Sequence, residues 1–223
     1  MIFSDDSASR LARVLAGLGA VHVAEGQPFF YTSGWASPVY VDVRLLMSEV
    51  ELRAEIMDLV AAEAAPLATE RGLNAVVGVE NSGIAFAAWL AERLRLPLLY
   101  LRKRPIGWGV RAQLEGRLPT DARVLLVDDV TTDGLSKIDA AKALRQTGTR
   151  IDDALVLMEF GLYPATAVRF AEHDLHLHAL TDWAHLHRAM CEAGSLSARQ
   201  EAMLSSFADN PVRWSIEHGG VGE

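Results

Sequence analysis

The chain has 223 residues, 50% apolar and 22% charged, enough to bury one substantial core in a single domain or one domain with a small annex. Its formal net charge of −8 argues against a general nucleic-acid binder, whose footprint is basic, but leaves room for a local basic site. Cys191 is the sole cysteine, so no internal disulfide forms and no oxidising compartment is implied. No apolar run reaches the roughly 18 residues that span a bilayer. The start, MIFSDDSASR, lacks the basic-then-apolar order of a signal peptide. The chain therefore reads as soluble and cytoplasmic, with no nucleic-acid or membrane partner.

Leu11, Val14, Leu15 and Leu18 recur at helical spacing, and Gly19 is placed to stop that helix. The segment 28–44, PFFYTSGWASPVYVDVR, mixes aromatic and β-branched residues around a Ser-Gly-Trp-Ala-Ser-Pro turn and reads as a hairpin or hood. Ser48 followed by Glu51 has the spacing of a capping box, and Leu52, Ile56, Leu59 and Val60 supply the buried stripe of a second helix.

From Asn74 the rhythm becomes oily strand, short loop, helix. AVVGV is followed by ENSG and the helix IAFAAWLAERL, and LPLLYLRK runs into the long segment RPIGWGVRAQLEGRLPTDA. VLLVDD leads through TTDGLS to the helix KIDAAKALRQTG; ALVLMEF, a helix around AVRFAEH, and LHLHAL continue the pattern. Continuous apolar strands alternating with helices indicate a parallel sheet covered on both faces. Binding sites in such sheets lie beyond the carboxyl ends of the strands.

Asp128 and Asp129 fall where VLLVDD stops. At an open strand end, paired carboxylates accept hydrogen bonds from a vicinal diol or orient water on Mg²⁺; the plainer alternative is an acidic turn. Thr131, Thr132 and Ser136 add hydroxyls, and Gly134 lets main-chain N–H groups approach an anion at the start of the next helix. Neither a Gly-Lys-Thr/Ser element nor a G-x-G-x-x-G fingerprint is present. Asp133 sits inside this loop, where a charge about 5 Å from a phosphate costs roughly 3 kcal/mol at an effective dielectric near 20. The loop works only if that carboxylate turns away, capping helix N–H groups.

The run VLLVDDVTTDGLS resembles the phosphoribosyl pyrophosphate motif of type I phosphoribosyltransferases. Three further segments narrow the resemblance to orotate phosphoribosyltransferase: TSGWASPVYVDVR is similar to its hood, GVENSGIAFAAWLAERL to its Gly-Ile turn and helix, and YLRKRPIGWG with AQLEG to its Arg-Lys strand end and mobile loop. These segments follow the family's order from about residue 28 to 160.

The resemblance implies an α/β fold, a central parallel sheet flanked by helices. The whole chain, 1–223, would form one domain, with a small hood built largely from about 1–45 plus C-terminal contributions. It implies transfer of a phosphoribosyl group from phosphoribosyl pyrophosphate to orotate, with Mg²⁺ as cofactor and a homodimer sharing the mobile loop. Asp128 and Asp129 would hold the ribose hydroxyls and Mg²⁺, through water or substrate. The loop Thr131, Thr132, Asp133, Gly134, Leu135 and Ser136 would cradle the 5-phosphate, and Arg102 and Lys103 would meet the pyrophosphate. Tyr40 and Val41 would close over the base, and Trp108 joins the substrate site. Glu80 stands where an uncharged residue is common at this turn and reads as a substrate-site residue in contact with the base, the plainer alternative being an acid that faces solvent.

Several positions depart from the family pattern. Ile106, Leu45 and Thr32 stand where many relatives carry lysine, Trp108 follows in the same loop, and Leu135 replaces a glycine. Arg104 and Arg111 are candidate substitutes for the lost cations, although guanidinium and ammonium groups are not interchangeable. These departures raise the alternative of a catalytically impaired relative that binds nucleotide or phosphoribosyl ligands. The histidines of HDLHLHALTDWAHLH, with His176 and His178 on one strand face, read as ordinary strand and surface residues rather than a metal site. Trp183 and Trp214 read as packing residues.

Overall fold

The computed structural model describes residues 2–105 and 113–222. Its centre is a six-stranded sheet in the order β10-β9-β8-β5-β6-β7. The strands are β5 (Ala75–Val79), β6 (Leu98–Leu101), β7 (Leu114–Glu115), β8 (Arg123–Thr131), β9 (Arg150–Glu159) and β10 (His176–Asp182). All pair in parallel except the short edge strand β7, which runs antiparallel to β6. The apolar runs therefore become parallel strands as the sequence predicts, while β7 lies in the segment read only as a long loop.

Side-chain alternation divides each central strand between two cores. Leu125, Val127, Leu155 and Leu157 enter one, and Val124, Leu126, Ala154 and Val156 enter the other, all at most 1% exposed. Burying a residue of the Val or Leu type stabilises by about 1.5–3 kcal/mol, so alternation over both faces fixes strand register. The helices α3 (Ser82–Leu94), α4 (Leu135–Arg145) and α5 (Ala165–Glu172) connect the strands. The N-terminal helix α1 (Asp5–Gly17) packs against β10 and α6 (Trp183–Glu192), and α2 (Val50–Arg71) packs against α3.

Residues 21–41 form two small antiparallel ribbons. β1 (Val21–Val23) pairs with β4 (Val39–Val41), and β2 (Phe29–Phe30) pairs with β3 (Ala36–Ser37). β3 rests on α8 (Pro211–Glu217), where Ser215 Oγ accepts from the Ala36 N–H at 3.0 Å. α7 (Ala198–Asp209) precedes α8 and presents Phe207 edge-on to Trp214. Trp183 and Trp214 are both buried, as packing residues.

The Ser48–Glu51 capping box does not form. Residues Val43–Ser48 are a 3-10 turn started by Asp42, which accepts from the Arg44 N–H, so α2 begins only at Val50 after an uncapped Glu49. A complete capping box occurs instead at Ser197 and Gln200, the start of α7.

The histidine-rich stretch has structural work. Buried His178 shares its Nε2 with Asp153 Oδ1 at 2.8 Å and stacks on Phe3. No group of three or more His, Cys, Asp or Glu side chains among the described residues could hold a metal ion. Nor is any helix among them long and apolar enough to cross a membrane.

His185 is clamped between acids: Nδ1 lies 2.7 Å from Asp182 Oδ1 and Nε2 lies 2.9 Å from Asp5 Oδ1. Only the imidazolium donates from both nitrogens. Burial lowers its pKa, but the hydrogen bonds to Asp5 and Asp182 outweigh that and leave it above the ordinary histidine value. A group raised on folding stabilises fully below its unfolded value, near 6.5, and loses that contribution as pH rises through the folded value. Melting temperature should therefore fall as pH is raised from about 6 towards 8, and His185→Gln should flatten that slope. An unchanged slope in the variant, measured by thermal melts across this range, would remove His185 as its source.

Candidate active site

The carboxyl ends of β5, β6 and β8 open into a cleft of about 800 Å³. Its position follows from the topology, because loops leaving parallel strands converge at one end of the sheet. One wall carries Asp128, Asp129, Thr131, Thr132, Asp133, Leu135 and Ser136. The opposite side carries Glu80, Arg102 and Lys103, and the ribbons 21–41 bring in Tyr40 and Val41. The structure thus gathers all these anticipated residues at one cleft. Gly134 lies at the loop turn as the N-cap of α4, and Ile106, Trp108 and Arg111 fall outside the described residues.

The acids are not at the tip of β8. The strand continues to Thr131, with Asp128 beside Val156 and Thr131 beside Glu159. Both carboxylates consequently stand in low-dielectric surroundings. Asp128 is buried: its Oδ1 accepts from the Asp129 N–H at 3.0 Å and its Oδ2 lies 2.5 Å from Lys137 Nζ. Burial, followed by the charge of Asp128, pushes the Asp129 carboxyl up to about 6. Two adjacent acids in one site thus differ, one tied to an ammonium and the other open to the cleft.

Gly83, in the first turn of α3, sets the floor beneath them. A Cβ there would collide with Val127 O and press on Asp128, so the helix approaches this closely only with glycine.

Asp133 is turned away from the cradle. Its Oδ1 accepts from the Leu135 N–H at 3.2 Å, the first amide of α4, and its Oδ2 accepts from Trp35 Nε1–H at 2.9 Å. The turning away expected from the sequence occurs, but Asp133 meets a single helix amide from the position before the N-cap Gly134, and its second partner is an indole. Trp35 is buried and lies edge-on to Tyr163 at 4.8 Å. Asp133 therefore ties the Ser-Gly-Trp segment to the loop and spends its charge on two donors instead of facing an anion. The N–H groups of Thr132, Asp133 and Gly134 have no protein acceptor among the described residues, which leaves main-chain donors at the start of α4. Leu135 is 42% exposed at the cleft surface, so its side chain does not fill the turn.

The strand-end cations differ in freedom. Arg102 Nε pairs with Glu115 Oε1 at 2.9 Å, whereas the Lys103 side chain is exposed and only the main-chain N–H of that residue donates to Glu80 Oε2, at 2.8 Å. Glu80 thereby links the ends of β5 and β6 while lining the cleft.

Three residues escaped the sequence reading. Arg44 lines the cleft, held by Asp42 at 2.7 Å and donating to Tyr40 Oη at 2.8 Å. Trp35 and Lys137 are the others. Arg44 and Trp35 stood inside the quoted hood segment, but nothing in their spacing distinguished them.

No protein-family model matches the chain. Among solved structures, the crystal structure of orotate phosphoribosyltransferase from Aeropyrum pernix superposes with TM-score 0.64 at 32% identity, covering 84% of this chain and 99% of that one. Leishmania donovani UMP synthase shares the fold with TM-score 0.75 at 23% identity, covering 91% of this chain and 42% of that one. A mostly parallel sheet with an acid pair and a Thr/Gly/Ser loop at its carboxyl end is the arrangement of a type I phosphoribosyltransferase.

The chain is 40% identical over 217 residues to orotate phosphoribosyltransferase of Agrobacterium fabrum, covering 97% of this chain and 93% of that protein, and 39% identical over 215 residues to the one from Jannaschia sp.. It belongs to the orotate phosphoribosyltransferase family. Its activity is that of a pentosyltransferase in pyrimidine nucleotide biosynthesis: phosphoribosyl pyrophosphate and orotate give orotidine 5-monophosphate and pyrophosphate.

Proposed function

We propose that the cleft residues divide this reaction as follows. The C1–O bond to pyrophosphate breaks with its electron pair leaving on oxygen, positive charge develops on the ribose, and N1 of orotate forms the new bond to C1 as its N–H proton passes to the departing pyrophosphate or to water. Asp129, with Asp128 beside it, accepts hydrogen bonds from the ribose hydroxyls and fixes the ring while that charge develops. The amides and hydroxyls of the Thr131–Ser136 loop hold the 5-phosphate at the start of α4. Lys103 and Arg102 face the departing pyrophosphate, and the main chain at Tyr40 and Val41 covers the base. Glu80 acts by bracing the strand ends.

The donor set suits Mg²⁺, which usually takes one or two carboxylates together with substrate phosphates and water rather than an all-protein cage. Asp128 and Asp129 would hold it through water or substrate, and it would neutralise charge on the pyrophosphate. The same reading makes the chain 1–223 one domain with a hood, working as a cytoplasmic homodimer.

The observation that carries this reading is the joint placement of the open Asp129 carboxylate and the free loop amides on one wall of the cleft. Purified protein given phosphoribosyl pyrophosphate, Mg²⁺ and orotate should consume orotate and release pyrophosphate in equal amounts. Tight binding of phosphoribosyl pyrophosphate without turnover would instead favour a ligand-binding role.

A further inference from the structure

Lys137 is a buried ammonium built into the wall of the cleft. It occupies the first turn of α4, is 4% exposed, and places Nζ 2.5 Å from Asp128 Oδ2 and 3.0 Å from Ser136 Oγ. Elementary electrostatics disfavours a cation there twice over. Little water reaches it, and the first turn of a helix presents partial positive charge that suits anions. Asp128 compensates one of these costs.

The arrangement also restricts Asp128, whose two oxygens are engaged by Lys137 and by the Asp129 N–H. Ser136, the other partner of the ammonium, belongs to the loop with the free amides. Lys137 thus touches the acid pair and the anion loop at once. Among the described residues, the remaining cations of the cleft are placed differently: Arg44 is held by Asp42, Arg102 by Glu115, and Lys103 is exposed.

We propose that Lys137 is a positioning residue for the sugar phosphate. Its ammonium pins Asp128 and supplies, from within the protein, the counter-charge that lets a phosphorylated ribose seat between the acid pair and the Thr132–Ser136 loop without a metal ion. This inference rests on the phosphoribosyl site proposed above and adds an internal cation to it.

Calorimetric titration with ribose 5-phosphate, in EDTA and again in Mg²⁺, tests it. The unmodified protein should bind under both conditions. Lys137→Met should lose at least about tenfold in affinity in EDTA, the scale of one charge-assisted contact. The deficit should shrink in Mg²⁺, because the metal ion then supplies the missing charge at the acid pair. Lys137→Gln, one atom shorter but with a neutral amide donor left on the side of Asp128, should behave in the same way and serves if the methionine variant does not fold. Equal affinity of variant and parent in EDTA overturns the inference, as does tighter binding by the variants, which would mean that the ion pair obstructs the site. A deficit of the same size with and without Mg²⁺ also overturns it, since a merely structural role predicts that result. If the unmodified protein binds ribose 5-phosphate under neither condition, the phosphoribosyl site itself fails and the inference goes with it.

Discussion

Asp129→Asn is expected to lower kcat by roughly 10²- to 10³-fold, the range found when one preorganised group facing developing charge is removed. The structure singles out Asp129 because Asp128 has both oxygens engaged, whereas Asp129 faces the cleft beside it. The amide keeps the size of the side chain but loses its charge and one acceptor. A second measurement separates this effect from damage to the fold. Burial and then Asp128 hold the Asp129 carboxyl up at about 6, well above its unfolded value. A raised carboxyl penalises the folded state fully above that pH, and the penalty shrinks as pH falls from there and is gone below the unfolded value of 3.8. The ligand-free variant should consequently melt at or above the temperature of the parent at neutral pH while turning over slowly. Activity within twofold of the parent would remove Asp129 from the chemistry. Slow turnover together with a large drop in melting temperature would mark it as a structural residue.

The difference between the two acids was invisible in the sequence, although the pair itself was not. Continuous apolar runs such as AVVGV and VLLVDD identify buried parallel strands because both faces of the sheet need covering, and both runs take that form. The Thr/Gly/Ser loop is equally legible, since few other local compositions offer free amides and hydroxyls at a helix start. What spacing does not carry is the pairing of distant segments. Trp35 and Asp133 are 98 residues apart, and nothing local says that an indole N–H will meet that carboxylate. Ser48 fails for the opposite reason: its capping pattern is genuine, but the turn begun by Asp42 consumes it. Lys137 was hidden by its type. A lysine opening an amphipathic helix reads as solvated, and only the packing of α4 beside β8 places it inside, next to an acid that the sequence assigned wholly to the ligand.

Asp128→Asn should be the most destabilising change in the cleft wall. It leaves the Lys137 ammonium buried, in a helix first turn, opposite a neutral amide. Breaking a buried ion pair from one side typically costs about 3–5 kcal/mol, because the surviving charge keeps its desolvation penalty and loses its compensation. For a domain of this size each kcal/mol corresponds to about 2–4 °C, so the melting temperature should fall by roughly 6–20 °C. The double variant Asp128→Asn with Lys137→Met removes both charges and should recover most of that loss, because the remaining groups are neutral and the methionine fills the lysine stem's space. Recovery on this scale locates the cost in the uncompensated ammonium and not in the acid's hydrogen bond to the Asp129 N–H, which the second change does not restore. If the double variant melts as low as the single one, the ion pair is not what holds this wall together, and the close approach of α3 at Gly83 becomes the feature to probe.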